Sequence, residues 1–350
     1  MSDLAIIKVL VLSSIGFALA MILTPAWTHF LYKYKLVKNI RSDGNTPIFS
    51  RLHKGKAGTP TMGGVLIWVT VAALAIFFWW FSKIWPQSIF STLNFVSRSE
   101  TFLPIGAFVA SALVGLLDDW FNVRRQGGGK GGGLTVKHRL FMYTLIAVFG
   151  AWWFYYKLDW DIIRVPFVGV LNMGWWFIPF FIFVIVGTAF SVNEADGLDG
   201  LAGGLCLTSF AAFGTIAFLQ GRFDLAAFCG VICGTLLSFL WFNINPARFF
   251  MGDTGAMSLG ISLGIVAMLT GYPLLLLVVG FLFMLESLSV LIQMMSKKIR
   301  KKKVFLSTPI HHHFEAKGWP ETKVVMRFWI ISGVMAVLGL IIAIIDLRLW

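Results

Sequence analysis

The sequence predicts an all-α integral membrane protein, a bundle of about ten transmembrane helices with both termini outside. Its 350 residues are 58% hydrophobic and only 13% charged, and the mean hydropathy is +0.81. Soluble domains need more charge than this to cover their surface. Helices are expected because a backbone in lipid must satisfy its own hydrogen bonds.

Ten apolar runs approach the length of about 20 residues at which a helix crosses a bilayer. We therefore expect a single polytopic membrane domain over residues 1–350. The predicted spans are 4–31, 62–81, 102–118, 140–157, 175–192, 201–219, 225–242, 256–272, 274–295 and 328–347.

Basic residues concentrate in alternate loops. Five of the loops hold 22 of the 29 lysine and arginine residues. The positive-inside rule predicts that these loops are cytoplasmic, which places both termini on the outer, periplasmic side. Basic loops beside anionic lipid also explain the net charge of +13 without a nucleic-acid partner. The five loops cover about residues 32–61, 119–139, 193–200, 243–255 and 296–327.

Polar clusters fall in or beside these five loops, whereas the outer loops carry scattered charges. This segregation predicts an active site at the cytoplasmic face. The glycine-rich segment 126–133 lacks the Gly-Lys-Ser/Thr ending of a phosphate loop and is interpreted as a flexible linker. Cys206, Cys229 and Cys233 lie in apolar runs and are interpreted as buried hydrophobic residues.

Two acidic positions suggest cation chemistry. Asp118 and Asp119 directly follow an apolar run, where ionised carboxylates are costly unless paired or bound to a cation. Asp253 lies in Met-Gly-Asp-Thr-Gly at the start of a predicted helix. A site for Mg²⁺ and phosphate would use such carboxylates. The alternatives are solvated residues at a span end for the pair and an ordinary helix cap for Asp253.

The loop at 193–200 carries three acids and no base. Asn193, Asp196 and Asp199 are spaced by three and would share one face of a helix. Such a face suits the hydrogen-bond donors of a base or ribose. The alternative is a turn and cap cluster for the next span, with Asp199 as the cap.

Three consecutive histidines, His311, His312 and His313, lie in the last cytoplasmic loop. Neighbouring side chains diverge, so one or two donors to phosphate are a better interpretation than a metal site. Glu286 is an acid within a predicted span, which makes it either a functional residue or a hydrogen-bonded scaffold.

These motifs together resemble the polyprenyl-phosphate N-acetylhexosamine-1-phosphate transferases, and within that family the phospho-N-acetylmuramoyl-pentapeptide transferases. Five blocks match in order. They are Gly-Thr-Pro-Thr-Met-Gly-Gly at 58–64, Asp-Asp at 118–119, Asn-x-x-Asp-Gly-Leu-Asp-Gly at 193–200, Met-Gly-Asp-x-Gly at 251–255, and the histidines with Phe-Glu at 311–315. The glycine-rich loop and Glu194 depart from the family pattern.

The resemblance implies transfer of phospho-MurNAc-pentapeptide from UDP-MurNAc-pentapeptide to undecaprenyl phosphate, giving UMP and lipid I for peptidoglycan synthesis. It implies Mg²⁺ as cofactor, the bacterial inner membrane as location, and an active site that faces the cytoplasm. Homodimers are common in the family.

The resemblance also assigns roles to individual residues. Asp253 would be the Mg²⁺ ligand, and Asp118 and Asp119 would be catalytic with it. The residues expected to hold the nucleoside are Lys56, Asn193, Asp196, Asp199 and Phe250, with Phe250 stacked on uracil. Those expected near the phosphates are Asn243, Lys137, His311, His312 and His313.

A secondary transporter is the alternative from a different functional class. Ten spans and an acid such as Glu286 within one of them would be ordinary for it. Transporters, however, place their sites near the middle of the bilayer, whereas the acids here cluster at one surface.

Overall fold

The structure is a computed structural model that describes residues 2–37, 56, 58–98, 100–129 and 132–349. Much of the first predicted cytoplasmic loop and the centre of the glycine-rich segment fall outside this part of the chain. About three-quarters of the described part is helical. Its long helices are α1 (Ser2–Lys33), α2 (Val65–Ile84), α4 (Phe102–Val123), α5 (Val136–Lys157), α6 (Phe177–Ala195), α7 (Leu201–Leu219), α8 (Phe223–Asn243), α9 (Gly252–Leu269), α11 (Phe281–Ile299) and α13 (Glu321–Leu349).

Three short helices and one hairpin complete the fold. The helices are α3 (Ile89–Leu93), α10 (Leu276–Val279) and α12 (Ile310–Ala316). The hairpin pairs β1 (Ile162–Val165) with β2 (Gly169–Asn172) in antiparallel register. Asp346 of α13 accepts a hydrogen bond from the Phe167 backbone at the hairpin turn, at 2.7 Å, and so ties the hairpin to the last helix.

Within the described residues, eight helices are long and apolar enough to cross a membrane, and a bent pair makes a ninth. The all-α membrane prediction is therefore confirmed. The predicted fourth span corresponds to α5, which is not among the nine.

The predicted ninth span is wrong as a single continuous helix. It is divided into α10 and α11, which meet at an angle of 85°. The break falls at Gly280, whose backbone leaves the helical region at φ −93° and ψ 23°. The apolar pattern did not show the break because glycine is common inside membrane helices.

Helix α9 forms the centre of the bundle. Its membrane-length window is 100% buried, whereas that of α1 is only 17% buried. Close approach at glycines makes this possible: a Cβ at Gly115 of α4 would lie 2.4 Å from the Asp253 carbonyl oxygen. The first turn of α9, which carries Asp253, is thus fixed against α4.

The substitution Gly115→Ala is expected to lower thermal stability by a few degrees, because overpacking at backbone contacts costs about 1–3 kcal/mol. The new methyl would also meet the Thr254 Cα at 2.6 Å and would push α4 away from α9. Thermal unfolding of the purified variant provides the measurement. Gly106→Ala is the matched control, since a Cβ there meets no atom of the described chain within 4 Å. Equal melting temperatures for both variants would contradict the prediction.

Candidate active site

The ends of α4 and α6 meet the beginnings of α5 and α9 in a cluster of charged and polar side chains. Arg139 lies at its centre. Its Nε is 2.6 Å from Asp118 Oδ2, and its Nη1 is 3.1 Å from Asp253 Oδ1. Nη1 also donates to Asn193 Oδ1 at 3.2 Å. A single guanidinium therefore joins residues that are up to 135 positions apart in the chain.

Asn193 completes this cluster. Its Nδ2 donates to Asp253 Oδ1 at 2.6 Å, while its Oδ1 accepts from Arg139. Asp118 is held by the Leu134 backbone N–H, which donates to Oδ1 at 2.5 Å. Both carboxylates are buried. Arg139 thus joins Asp118 and Asp253, which were predicted to act together. Asn193, which was predicted to hold the nucleoside, lies with these acids.

Asp119 points in another direction. Its two oxygens accept the backbone N–H groups of Asp253 and Thr254, at 3.1 and 3.0 Å. It therefore caps the N-terminus of α9, where a carboxylate also complements the helix dipole. Its role as a catalytic residue stays a prediction, and the contacts indicate that it positions Asp253.

A second cluster surrounds Asp199. Lys56 Nζ is 2.7 Å from Asp199 Oδ1 and 2.5 Å from Glu321 Oε1. Asn245 Nδ2 donates to Asp199 Oδ2 at 3.0 Å and to Glu321 Oε2 at 3.2 Å. The Asp199 backbone N–H donates to Glu321 Oε1 at 2.7 Å. The start of α13 therefore fastens the 193–200 loop to Lys56.

Asn243 and Phe250 border this second cluster. Asn243 accepts from the Gly200 backbone N–H at 2.9 Å and donates to the Phe249 carbonyl at 2.8 Å. These bonds make it a brace between two loops, and its position near the phosphates stays a prediction. Lys56 Nζ lies 5.8 Å from the centroid of the Phe250 ring, which is half-buried.

The histidines lie on α12, against the 193–200 loop. His311 Nδ1 is 3.0 Å from Glu286 Oε2, and His312 Nδ1 is 2.6 Å from Glu315 Oε2. His313 instead accepts the Leu306 backbone N–H at 3.2 Å. Burial and the nearby Lys317 lower the pKa of His313. The three predicted residues therefore separate into two that face the candidate site and one that braces its own loop.

Lys137 and Asp196 complete the predicted set. Lys137 is exposed on the first turn of α5 and forms no ion pair within the described chain. Asp196 is half-buried at the C-terminal end of α6, next to the 193–200 turn. Lys137 was predicted to lie near the phosphates, but the basic residue that contacts Asp118 and Asp253 is Arg139.

Sequence reasoning missed Arg139, Asn245 and Glu321. Arg139 lay among the basic residues of the predicted loop 119–139, and Asn245 lay in the predicted loop 243–255. Glu321 lay in a segment that we predicted to be loop before the last span. The one feature that these three residues share is that each is polar and lies near the end of a helix. Many other residues share that feature and make no such contacts.

Comparison with known proteins identifies the family. Residues 101–271 match the model described as glycosyl transferase family 4, and residues 56–67 match phospho-N-acetylmuramoyl-pentapeptide-transferase signature 1. A phospho-N-acetylmuramoyl-pentapeptide-transferase of Chloroflexus aggregans is 38% identical, over 97% of this chain and 90% of the relative. The chain belongs to the phospho-N-acetylmuramoyl-pentapeptide-transferase family.

Two further relatives of the same name support this membership. The Listeria welshimeri protein is 37% identical over 95% of this chain and 97% of its own length. The Clostridium novyi protein is 37% identical over 93% of this chain and 94% of its own length. Both clusters of the candidate site lie within the aligned length. As a member of this phospho-N-acetylmuramoyl-pentapeptide-transferase family, the chain is a multi-pass membrane transferase of peptidoglycan synthesis.

Proposed function

We propose that the protein transfers phospho-MurNAc-pentapeptide from UDP-MurNAc-pentapeptide to undecaprenyl phosphate, with UMP and lipid I as products. The observation that carries the proposal is the contact of Arg139 with Asp118, Asp253 and Asn193. These residues are buried or half-buried where four helix ends meet, beside the second cluster around Asp199. The first cluster suits phosphate chemistry, and the second suits recognition of a nucleoside.

A divalent cation fits the first cluster. Asp118 supplies a buried carboxylate, whose Oδ2 is ion-paired with Arg139 Nε at 2.6 Å. Asp253 and Asn193 add a carboxylate and an amide oxygen, and Mg²⁺ prefers oxygen ligands. The described residues contain no group of three or more potential ligands of the His, Cys, Asp or Glu type. Such a sparse set is compatible with Mg²⁺, which is usually held by one or two carboxylates together with substrate phosphates.

In this proposal Asp253 is the principal Mg²⁺ ligand, with Asp118 beside it. Mg²⁺, when bound, would offset the negative charge of the diphosphate and of the attacking phosphate. Arg139 supplies fixed positive charge at the same place, preorganised by its contacts with both acids.

The acceptor needs little activation. A phosphate monoester has a second pKa near 6, so the lipid phosphate is mostly a dianion at neutral pH. Direct attack of its oxygen on the β-phosphate would break the bond to the bridging oxygen, and UMP would leave with that oxygen. Asp118 would orient the lipid phosphate and accept any remaining proton. A covalent aspartyl intermediate is the alternative mechanism.

The second cluster would bind the nucleoside. Asp199 and the half-buried Phe250 ring would offer an acceptor and a stacking surface. Lys56, Asn245 and Glu321 would hold these groups in place. Asp196 remains a proposed contact of the same subsite.

The proposed activity is tested by following UMP release from purified protein. We expect release that requires UDP-MurNAc-pentapeptide, undecaprenyl phosphate and Mg²⁺ together. UDP-GlcNAc in place of the natural donor should give no UMP, because the pentapeptide branch of the family is the one that matches. Release from UDP-GlcNAc at a comparable rate would assign the protein to a sister activity, and no release from either donor would refute the proposal.

We also propose that the site faces the cytoplasm and that both termini lie in the periplasm. Cysteines introduced at Asn45, Lys130 and Thr308 should then be shielded from a membrane-impermeant thiol reagent in intact cells. The reason is the concentration of 22 of the 29 basic residues in the predicted cytoplasmic loops. Positions 45 and 130 lie outside the described residues. Gln87→Cys, exposed at the opposite end of α2, is the control that should react. Labelling of any one of the three loop positions from outside would contradict the orientation.

A further inference from the structure

Glu286 is an acid that lies entirely inside the bundle, on α11. Its carboxylate Oε2 is 3.0 Å from Nδ1 of His311, and both side chains are fully buried. An isolated carboxylate at such a position is expensive, so the pairing with an imidazole explains how it is tolerated.

The pair leaves two buried polar atoms without a hydrogen-bond partner in the described chain. They are Glu286 Oε1 and, on the far side of the imidazole, His311 Nε2. Buried polar atoms are nearly always bonded, and the exceptions call for an explanation such as a ligand. With Nδ1 directed at Glu286, the N–H at Nε2 is available to an acceptor that the protein itself does not supply.

His311 Nε2 lies against the 193–200 loop. A Cβ at Gly197 would be 2.3 Å from His311 Nε2 and 3.3 Å from His312 Nε2. Only a glycine lets the two imidazoles approach the loop so closely. The unpartnered nitrogen is thus directed at the loop that carries Asn193 and Asp199.

We propose that Glu286 is a positioning residue that holds His311 as a charged hydrogen-bond donor for a phosphate oxygen of the nucleotide. The inference rests on the proposed function, since it takes a nucleotide as the ligand of the 193–200 loop. Glu286 itself does not touch the substrate and acts through His311.

The charge of His311 depends on its acidic neighbours. Burial alone would lower the pKa of His311, but the charge of Glu286 and the hydrogen bond to it raise the pKa above its usual value of 6.5. The charges of Glu315 on α12 and Glu194 on α6 also raise the pKa of His311. The His312 ring packs against the His311 ring. The imidazolium is therefore present below the raised pKa and is lost as the pH rises through it.

Glu286→Gln removes the opposing charge and leaves burial to lower the pKa of His311. In the window between pH 6.5 and the raised pKa, His311 is charged in the parent protein and neutral in the variant. We expect UMP affinity to fall about tenfold or more within this window, because hydrogen bonds to charged groups are the strong ones. Uridine, which has no phosphate, should bind equally to both proteins.

The measurement is calorimetric titration of UMP and uridine into the detergent-purified protein between pH 6 and 8.5. Ser289→Ala is the matched control, since Ser289 is buried one turn along α11 and bonds only its own helix backbone. UMP itself titrates near pH 6, and comparison of the proteins at each pH cancels that contribution.

A double-mutant cycle provides the second measurement. If Glu286 acts through His311, combining Glu286→Gln with His311→Gln should weaken UMP binding no more than His311→Gln alone. Additive losses, equal loss of uridine and UMP, or unchanged UMP binding in Glu286→Gln would each overturn the inference. If Glu286→Gln does not purify as a folded protein, the parent and His311→Gln are compared instead. UMP binding with the same pH dependence in these two proteins overturns the inference. A parent protein that binds uridine and UMP no better than a buffer blank would overturn the proposed function as well.

Discussion

Asp253→Asn is expected to abolish turnover while the protein still inserts into the membrane and purifies normally. The amide keeps the size of the side chain and can still accept from Asn193 Nδ2, which is 2.6 Å from Asp253 Oδ1. The backbone bond from Asp253 to Asp119 is untouched, so the start of α9 should remain in place. An amide binds Mg²⁺ much more weakly than a carboxylate, and the loss should exceed about a hundredfold in kcat.

The measurement is UMP release under saturating substrates, with thermal unfolding to confirm the fold. Ser258→Ala is the matched control, because Ser258 lies one turn further along α9 and bonds only carbonyls of its own helix. It should retain near-parental activity. Substantial turnover by Asp253→Asn would remove Asp253 as the metal ligand.

Asp118→Asn is expected to reduce kcat by more than about a hundredfold and to leave UMP affinity nearly unchanged. Its carboxylate is held by the Leu134 N–H and by Arg139, at the cluster proposed for the phosphates. An interaction made mainly in the transition state affects kcat, whereas one made in both ground and transition state affects KM.

Asp199→Asn should show the opposite pattern. Asp199 bonds Lys56 and Asn245 in the proposed nucleoside subsite. Its loss should raise the KM for the UDP-sugar about two- to tenfold, the size of one hydrogen bond, and should lower kcat less. UMP titration and steady-state rates for both variants test the pair. If Asp118→Asn loses UMP binding while Asp199→Asn binds normally without turnover, the two roles are reversed.

The sequence predicted the acids of the site because a carboxylate beside an apolar run stands out. Asp118 and Asp253 were predicted to act together on that basis, and the structure joins them through Arg139. Asn193 was predicted to hold the nucleoside, but it bonds Asp253 and Arg139 instead. The sequence pattern could not distinguish the role of Asp119 from that of Asp118, because both follow the same apolar run. Successive residues of a helix point about 100° apart, and only tertiary packing shows that one faces Arg139 while the other faces the backbone of α9.

Two of the missed residues lie where helices extend past their apolar segments. We predicted the fourth span to begin at residue 140, but α5 begins at Val136, and Arg139 belongs to its first turn. We predicted the last span to begin at residue 328, but α13 begins at Glu321. Hydropathy locates the part of a helix inside lipid and does not detect polar turns beyond it. One such turn carries Arg139 of the first cluster, and the other carries Glu321 of the second.

The enclosed position of α9 has a consequence for biosynthesis. Its mean hydropathy is the lowest of the eight candidate spans, and its whole membrane-length window is covered by other helices. It is therefore the span least suited to stay alone in lipid. During translation, α2, α4 and α6 are made before α9, so the space that α9 fills between them in the folded protein is not yet occupied by it. Until that space is filled, the Asp119 carboxylate lacks the two N–H groups that it later caps. The reaction centre therefore forms late, only after residues 252–269 have left the ribosome and packed between these helices.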